Sequence, residues 1–141
     1  MMRVVIDTNV VIAGLRAKRG ASFEIVSSML QNRLDFLISV PLLLEYEEVM
    51  KRTAPDLLPH FTLAEKDVFL NGLARFGLRP KIFYLWRPFL RDPDDDMLVE
   101  LAVAGSATHI VTSNTGDFDG VDHIGIAVTT PQDFYRNKSH L

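Results

Sequence analysis

Apolar and polar positions follow two periods along this chain, and each period marks a different kind of element. Val4, Val5 and Ile6 are a β-branched run that stops at the turn formers Asp7, Thr8 and Asn9, which predicts a short buried strand ending on a carboxylate. Residues 10–15 read as a helical turn or two. After Gly20 a helix is predicted over about 23–31, capped by Ser22, with Phe23, Val26, Met29 and Leu30 at helical spacing. Residues 34–38 form a second predicted strand. Ser39 and Pro41 signal a helix start, after which Leu42, Tyr46, Val49 and Met50 recur at helical spacing; that helix is expected to end near Arg52, ahead of Pro55. Thr62 and Glu65 resemble a capping box opening a helix to about Phe76, stopped by Gly77. Residues 82–85 suggest a short edge strand. A helix over about 94–105, apolar on most of its circumference, precedes a strand at 109–112, a loop through Gly116 and Gly120, a last strand at 126–128 and a C-terminal turn at 132–135. Strands alternating with helices predict an α/β fold, a three-layer α/β/α sandwich with a central, mainly parallel sheet.

The 141 residues, 48% of them hydrophobic, fit one domain with a sizeable core. No apolar run approaches the roughly 18 residues of a membrane span, and an aspartate interrupts the start where a secretory signal would stay apolar, so a soluble, cytoplasmic protein is expected. The absence of cysteine excludes disulfides, Cys-ligated zinc and a thiol nucleophile, and His60, His109, His123 and His140 are dispersed. Any metal is therefore expected on oxygen ligands. A net charge of -3 excludes binding of nucleic acid by bulk positive charge, though not by local patches.

The acidic residues are unevenly placed. Ligand sites in parallel sheets lie beyond the carboxyl ends of the strands, where Asp7 follows the first strand and Asn114 and Asp117 follow the strand ending at Thr112. Asp7 has a plainer reading as an Asx turn or helix cap. Glu45 falls on the margin of the buried stripe of its helix, where a carboxylate must be paired, hydrogen-bonded, metal-bound or able to reach water. Asp96 opens the apolar helix, with Glu100 one turn on, and Asp92, Asp94, Asp95 and Asp96 crowd into five positions. Capping and the helix dipole account for one or two such acids, at about 0.3–1 kcal/mol each; four repel one another, and a divalent cation would relieve the repulsion. Asp7, Glu45, Asp96 and a fourth group near Asn114 or Asp117 supply oxygen ligands for Mg2+ or Mn2+, which would activate a water against a phosphodiester.

Three stretches, VVIDTNVVIAGL, SVPLLLEYEEVMKR and DPDDDMLVELAVAGSATHIVTSNTGDF, together with a terminal strand followed by TPQDF, resemble the PIN-domain family in order and spacing over nearly the whole chain. The likeness is nearest to small prokaryotic VapC-like proteins grouped as toxin components of toxin-antitoxin systems. It implies a metal-dependent endoribonuclease whose acids correspond to Asp7, Glu45 and Asp96, with Thr8, Asn9 and Thr112 near the pocket. Asp92 and Asp95 resemble extra aspartates of this subgroup, in a supporting or direct role. The fourth family acid falls two residues after Thr112, where this chain has Asn114; the nearest acid is Asp117, so either residue completes the site. The resemblance also implies an RNA substrate, a cognate antitoxin and a homodimer, and no membrane.

Arg16, Arg87 and Arg91 are candidate RNA contacts on basic character, beside Lys18, Arg19 and Trp86. The aromatic residues between 83 and 89 also suit a core or subunit contact. A haloacid-dehalogenase-like phosphatase would want a second aspartate where Asn9 stands, and a receiver domain a late lysine that is not evident. No glycine-rich phosphate loop occurs. The rival from another class is a non-catalytic PIN-fold module binding RNA or protein, favoured by Asn114, whereas retention of three mutually repelling acids favours the enzyme.

Overall fold

The computed structural model describes residues 2–57, 62–82, 90 and 93–137. Among them, β1 (Arg3–Ile6), β2 (Asp35–Phe36), β3 (His109–Val111) and β4 (Ala127–Thr129) form one parallel sheet in the order β2, β1, β3, β4. Val4, Val5 and Ile6 of β1 are all fully buried. Successive strand side chains point to opposite faces, so burial of three in a row requires cover on both, as the three-layer α/β/α arrangement provides.

The helices are α1 (Thr8–Arg16), α2 (Ala21–Leu30), α3 (Val40–Leu57), α4 (Leu63–Phe76), α5 (Pro93–Ala104) and α6 (Pro131–Arg136). Apart from the strand suggested at 82–85, the expected order of elements is present, with several boundaries shifted. α1 begins at Thr8, directly after Asp7, because the Asp7 carboxylate caps it. α2 begins at Ala21 after Gly20, whose φ of 106° turns the chain, so Ser22 lies inside the helix and is not its cap. α3 continues past Arg52 with Pro55 in its last turn: proline costs one amide donor there, while its fixed φ remains helical. α4 carries the full capping box of Thr62 and Glu65 and ends at Gly77, as its pattern predicts. β2 is shorter than 34–38; just beyond it Leu37 forms an isolated bridge with Leu78, in which Leu78 N donates to Phe36 O and Ile38 N to Leu78 O, both at 2.8 Å. Ile82 is not in a strand, and the remainder of the suggested strand at 82–85 lies outside the described residues. The last turn is a full short helix, α6, with Pro131 at its start and Thr130 accepting from Asp133 N.

Two features tie the helices together beside the sheet. A Cβ on Gly14 would sit 2.6 Å from Ser22 O, so this glycine lets α1 lie against the start of α2. Lys66 of α4, almost wholly buried, pairs with Glu47 of α3 at 3.6 Å. α5 packs on β1 and β3 from its own side. No helix among the described residues is long and apolar enough to cross a membrane.

Candidate active site

Parallel pairing of β1 with β3 puts Ile6 opposite Val111, so the next residues, Asp7 and Thr112, meet where both strands end. Asp7 N donates to Val111 O at 2.9 Å, which prolongs the ladder by one bond past Ile6. The Asp7 carboxylate is buried and accepts three hydrogen bonds. Thr8 N reaches Oδ1 at 2.7 Å, while Thr112 Oγ1 and Asn9 Nδ2 reach Oδ2 at 2.8 and 3.3 Å. The helix-cap reading of Asp7 is met by the bond from Thr8 N, and the same carboxylate stands where the two strands end.

Thr112, fully buried, is the hub of the strand-end network. Its hydroxyl donates to Asp7 and accepts from Asn114 N at 3.1 Å and from Asn9 Nδ2 at 3.4 Å. Asn9 Oδ1 in turn accepts from Ser113 N at 3.2 Å, so the DTN triplet and the loop after β3 hold each other. Glu45, half-buried on α3, accepts from Thr8 Oγ1 at 3.2 Å, which selects the hydrogen-bonded account of that marginal position. Burial is the chief force pushing the Asp7 carboxyl above its ordinary value. The bonds from Thr112 and Thr8 oppose it, and the nearby charge of Asp117 adds to the rise.

The structure therefore gathers Asp7, Thr8, Asn9, Glu45, Thr112 and the Asn114 backbone by hydrogen bonds, and Asp117 by charge. Asp117 is exposed in a single 3-10 turn over Thr115–Phe118, and the exposed Asn114 precedes that turn. Asp96 is completely buried in the first turn of α5, where its Oδ1 accepts from Leu90 N at 2.7 Å. Glu100, one turn on, is also buried. Asp95 is half-buried beside Asp96. Asp92, Arg87, Arg91 and Trp86 lie outside the described residues. Arg16 is exposed at the last position of α1, about 12 Å along the helix axis from Thr8 at 1.5 Å per residue. His109 faces Thr108 Oγ1 and the edge of Phe134, and His123 is exposed in a second 3-10 turn.

Tyr46 enters the site from a position that its periodicity assigns to the core. Its ring is fully buried, and its hydroxyl donates to Ile6 O at 2.6 Å. Burial, together with the charges of Asp7 and Glu45, pushes its pKa well above the usual tyrosine value, so it remains a neutral donor. The available signal was the residue type itself, since a buried tyrosine hydroxyl needs a partner.

Among the described residues, no three His, Asp or Glu side chains stand together as a ready-made metal cage. The candidate ligands present are nonetheless carboxylate, amide and hydroxyl oxygens, and the charge of Asp117 bears on the buried Asp7. That suits a hard divalent ion such as Mg2+, which binds through one or two carboxylates and keeps several waters, better than an ion needing an all-protein cage.

Comparison with known proteins bears on the fold and the family. A chain in the structure of FitAB bound to an IR36 DNA fragment is similar to this one with a TM-score of 0.55 at 21% identity, covering 92% of this chain and 95% of that one. No curated protein matches the sequence. The family model for the PIN domain matches residues 3–116, a span that runs from the first residue of β1 through Asp7, Glu45, Asp96 and Thr112. With the pattern matched over most of its length, and with the parallel sheet that brings Asp7 and Thr112 side by side, the chain belongs to the PIN domain family.

Proposed function

We propose that this protein is a divalent-metal-dependent endoribonuclease, the toxin of a toxin-antitoxin pair. The observation that carries the reading is the Asp7 carboxylate, buried at the carboxyl end of a central strand, oriented by Thr112, Asn9 and Thr8, and faced by the charge of Asp117. PIN domains are generally nucleases, and a carboxylate held at the cost of burial and like-charge repulsion is placed for a cation and not for stability. Asp7, with Asp117 and the Thr8-linked Glu45, would hold Mg2+ or Mn2+; Asp96 and Asn114 complete the proposed ligand set. Bound there, the ion would supply a Lewis acid and an activated water for in-line attack on a phosphodiester.

The chain's own groups account for the remaining work. Thr112 and Asn9 fix Oδ2 of Asp7, which leaves its direction independent of substrate. Asp7 and its neighbours accept protons or cations and present no positive charge, so phosphate alone is repelled. Metal and nucleic acid are therefore expected to bind together, because the ion neutralises a site that otherwise excludes its substrate. Arg16, Arg87 and Arg91 are proposed contacts to the RNA backbone. A homodimer and a cognate antitoxin are the proposed assemblies. The FitAB structure contains DNA, which supports a nucleic-acid setting for the similar chain.

A second reading, a non-catalytic binding module, draws on Asn114 in place of an acid and on the open arrangement of the carboxylates. One experiment separates the two. Purified protein is expected to cut single-stranded RNA with Mg2+ or Mn2+, to stop on addition of chelator, and to lose activity in folded Asp7→Asn and Asp96→Asn variants. Chelator-insensitive cleavage defeats the metal mechanism, and RNA binding without cleavage under any divalent ion selects the module.

A further inference from the structure

The two residues flanking Asp7 are both anchored to helix α3. Ile6, on one side, gives its carbonyl to the Tyr46 hydroxyl at 2.6 Å; Thr8, on the other, gives its hydroxyl proton to Glu45 at 3.2 Å. Glu45 and Tyr46 are consecutive residues of α3, so one short piece of helix grips the chain on both sides of a buried carboxylate.

The strand geometry explains why Tyr46 is needed. In β1 the carbonyl of Val4 points toward β2 and accepts from Leu37 N at 2.8 Å. Ile6, two residues on, points the same way. β2 itself ends at Phe36, however, and α3 starts at Val40, so the strand does not run far enough to meet Ile6. The Tyr46 hydroxyl takes the place of the missing strand residue. The other end of the same peptide bond, Asp7 N, is held by Val111 O at 2.9 Å. The 6–7 peptide plane is thus fixed at both its oxygen and its nitrogen.

We infer that Tyr46 is a positioning residue for the acidic site: by holding Ile6 O against α3, its hydroxyl sets the distance between the carboxylates of Asp7 and Glu45. The inference rests on the metal-site reading above and adds a residue outside the ligand set. Without the hydroxyl, the Ile6 carbonyl is left unpaired in the core, and the strand end is free to tilt away from α3. The phenylalanine ring would still fill the space, so the fold is retained while the spacing loosens.

The test is calorimetric titration of Mn2+ into wild type, Tyr46→Phe and Phe134→Leu, which needs no turnover. Phe134 is buried in α6 beside His109, at the end of β3 away from Asp7, and controls for loss of stability alone. The expected result is Mn2+ affinity about tenfold weaker in Tyr46→Phe and unchanged in Phe134→Leu, since a modest loss of preorganisation scales this way. In RNA cleavage the same variant is expected to lose kcat with little change in KM. Replacement of Tyr46 by 4-aminophenylalanine, which keeps a donor at the ring tip, is expected to restore affinity to within about twofold. Equal Mn2+ affinity in wild type and Tyr46→Phe, equal weakening in Phe134→Leu, or failure of the amino analogue to restore binding each overturns the assignment. Wild type that binds Mn2+ and cuts no RNA removes the nuclease reading and leaves Tyr46 to be judged on affinity; wild type that binds no Mn2+ removes both.

Discussion

Replacing Thr112 by valine isolates one interaction at the centre of the site. Valine keeps the β-branched shape in a fully buried position and deletes the hydroxyl that donates to Asp7 Oδ2 at 2.8 Å and accepts from Asn114 N at 3.1 Å. A hydrogen bond to a charged group contributes about 1.5–3 kcal/mol, against about 0.5–1.5 kcal/mol for a neutral one. The bond favours the ionised form of Asp7 and opposes the burial that raises its pKa. Its removal therefore raises that pKa further, and the native state is penalised most where Asp7 carries charge. In metal-free buffer the variant is expected to lose about 1.5–3 kcal/mol at pH 7.5, roughly 4–9 °C in Tm for a chain of this length. Near pH 4, where more of Asp7 is protonated, a smaller loss is expected. Urea unfolding of both proteins at the two pH values measures the difference. An equal loss at both would show that the Thr112 hydroxyl does not serve the Asp7 charge, and the account of this network would fall.

Two further expectations follow from other parts of the structure. Because burial raises the folded Asp7 carboxyl above its unfolded value, the metal-free fold holds that proton over a window where the unfolded chain has released it, so this group's contribution to stability declines as pH climbs through the window. A cation that needs the carboxylate gains affinity over the same interval and displaces protons, which calorimetry in two buffers of different ionisation enthalpy detects; affinity constant from pH 4 to pH 7.5 would count against Asp7 as a ligand. Gly14→Ala places a Cβ 2.6 Å from the backbone oxygen of Ser22, and separation of α1 from α2 is expected to cost about 1–3 kcal/mol by thermal or urea unfolding. A neutral result would mean that the two helices can part without loss.

The fold class was legible because its cues are local. Three β-branched residues ending at Asp7, a capping box at Thr62 and Glu65, and an apolar helix with Asp96 in its first turn are read within a few residues, and the structure carries all three, the last starting at Pro93. The starts of α1 and α2 moved for local reasons, the Asp7 cap and the turn at Gly20, whereas the bridge from Leu37 to Leu78 beyond β2 joins distant segments that no local pattern announces. Pro55 shows the converse, a strong local stop signal that α3 overrides within its last turn.

Sequence alone also singled out the candidate acids, since a carboxylate after a buried strand and another at the edge of an apolar helix are conspicuous by the desolvation they imply. It placed Asp7 and the segment from Asn114 to Asp117 at one edge through the general rule for parallel sheets, and could not say which side chains bond there. That depended on β1 lying beside β3, a pairing of segments about a hundred residues apart that no local period encodes. Only this adjacency brings Thr112 to Asp7 and sets Asn9 against Ser113, while the packing of α3 beyond the end of β2 gives the Tyr46 hydroxyl a strand carbonyl to hold. Local patterning fixes which residues are buried and in what element, because burial follows from hydrophobic period; the partners of each buried polar group are settled by topology, because a hydrogen bond reaches about 3 Å and only the folded chain decides what lies within it.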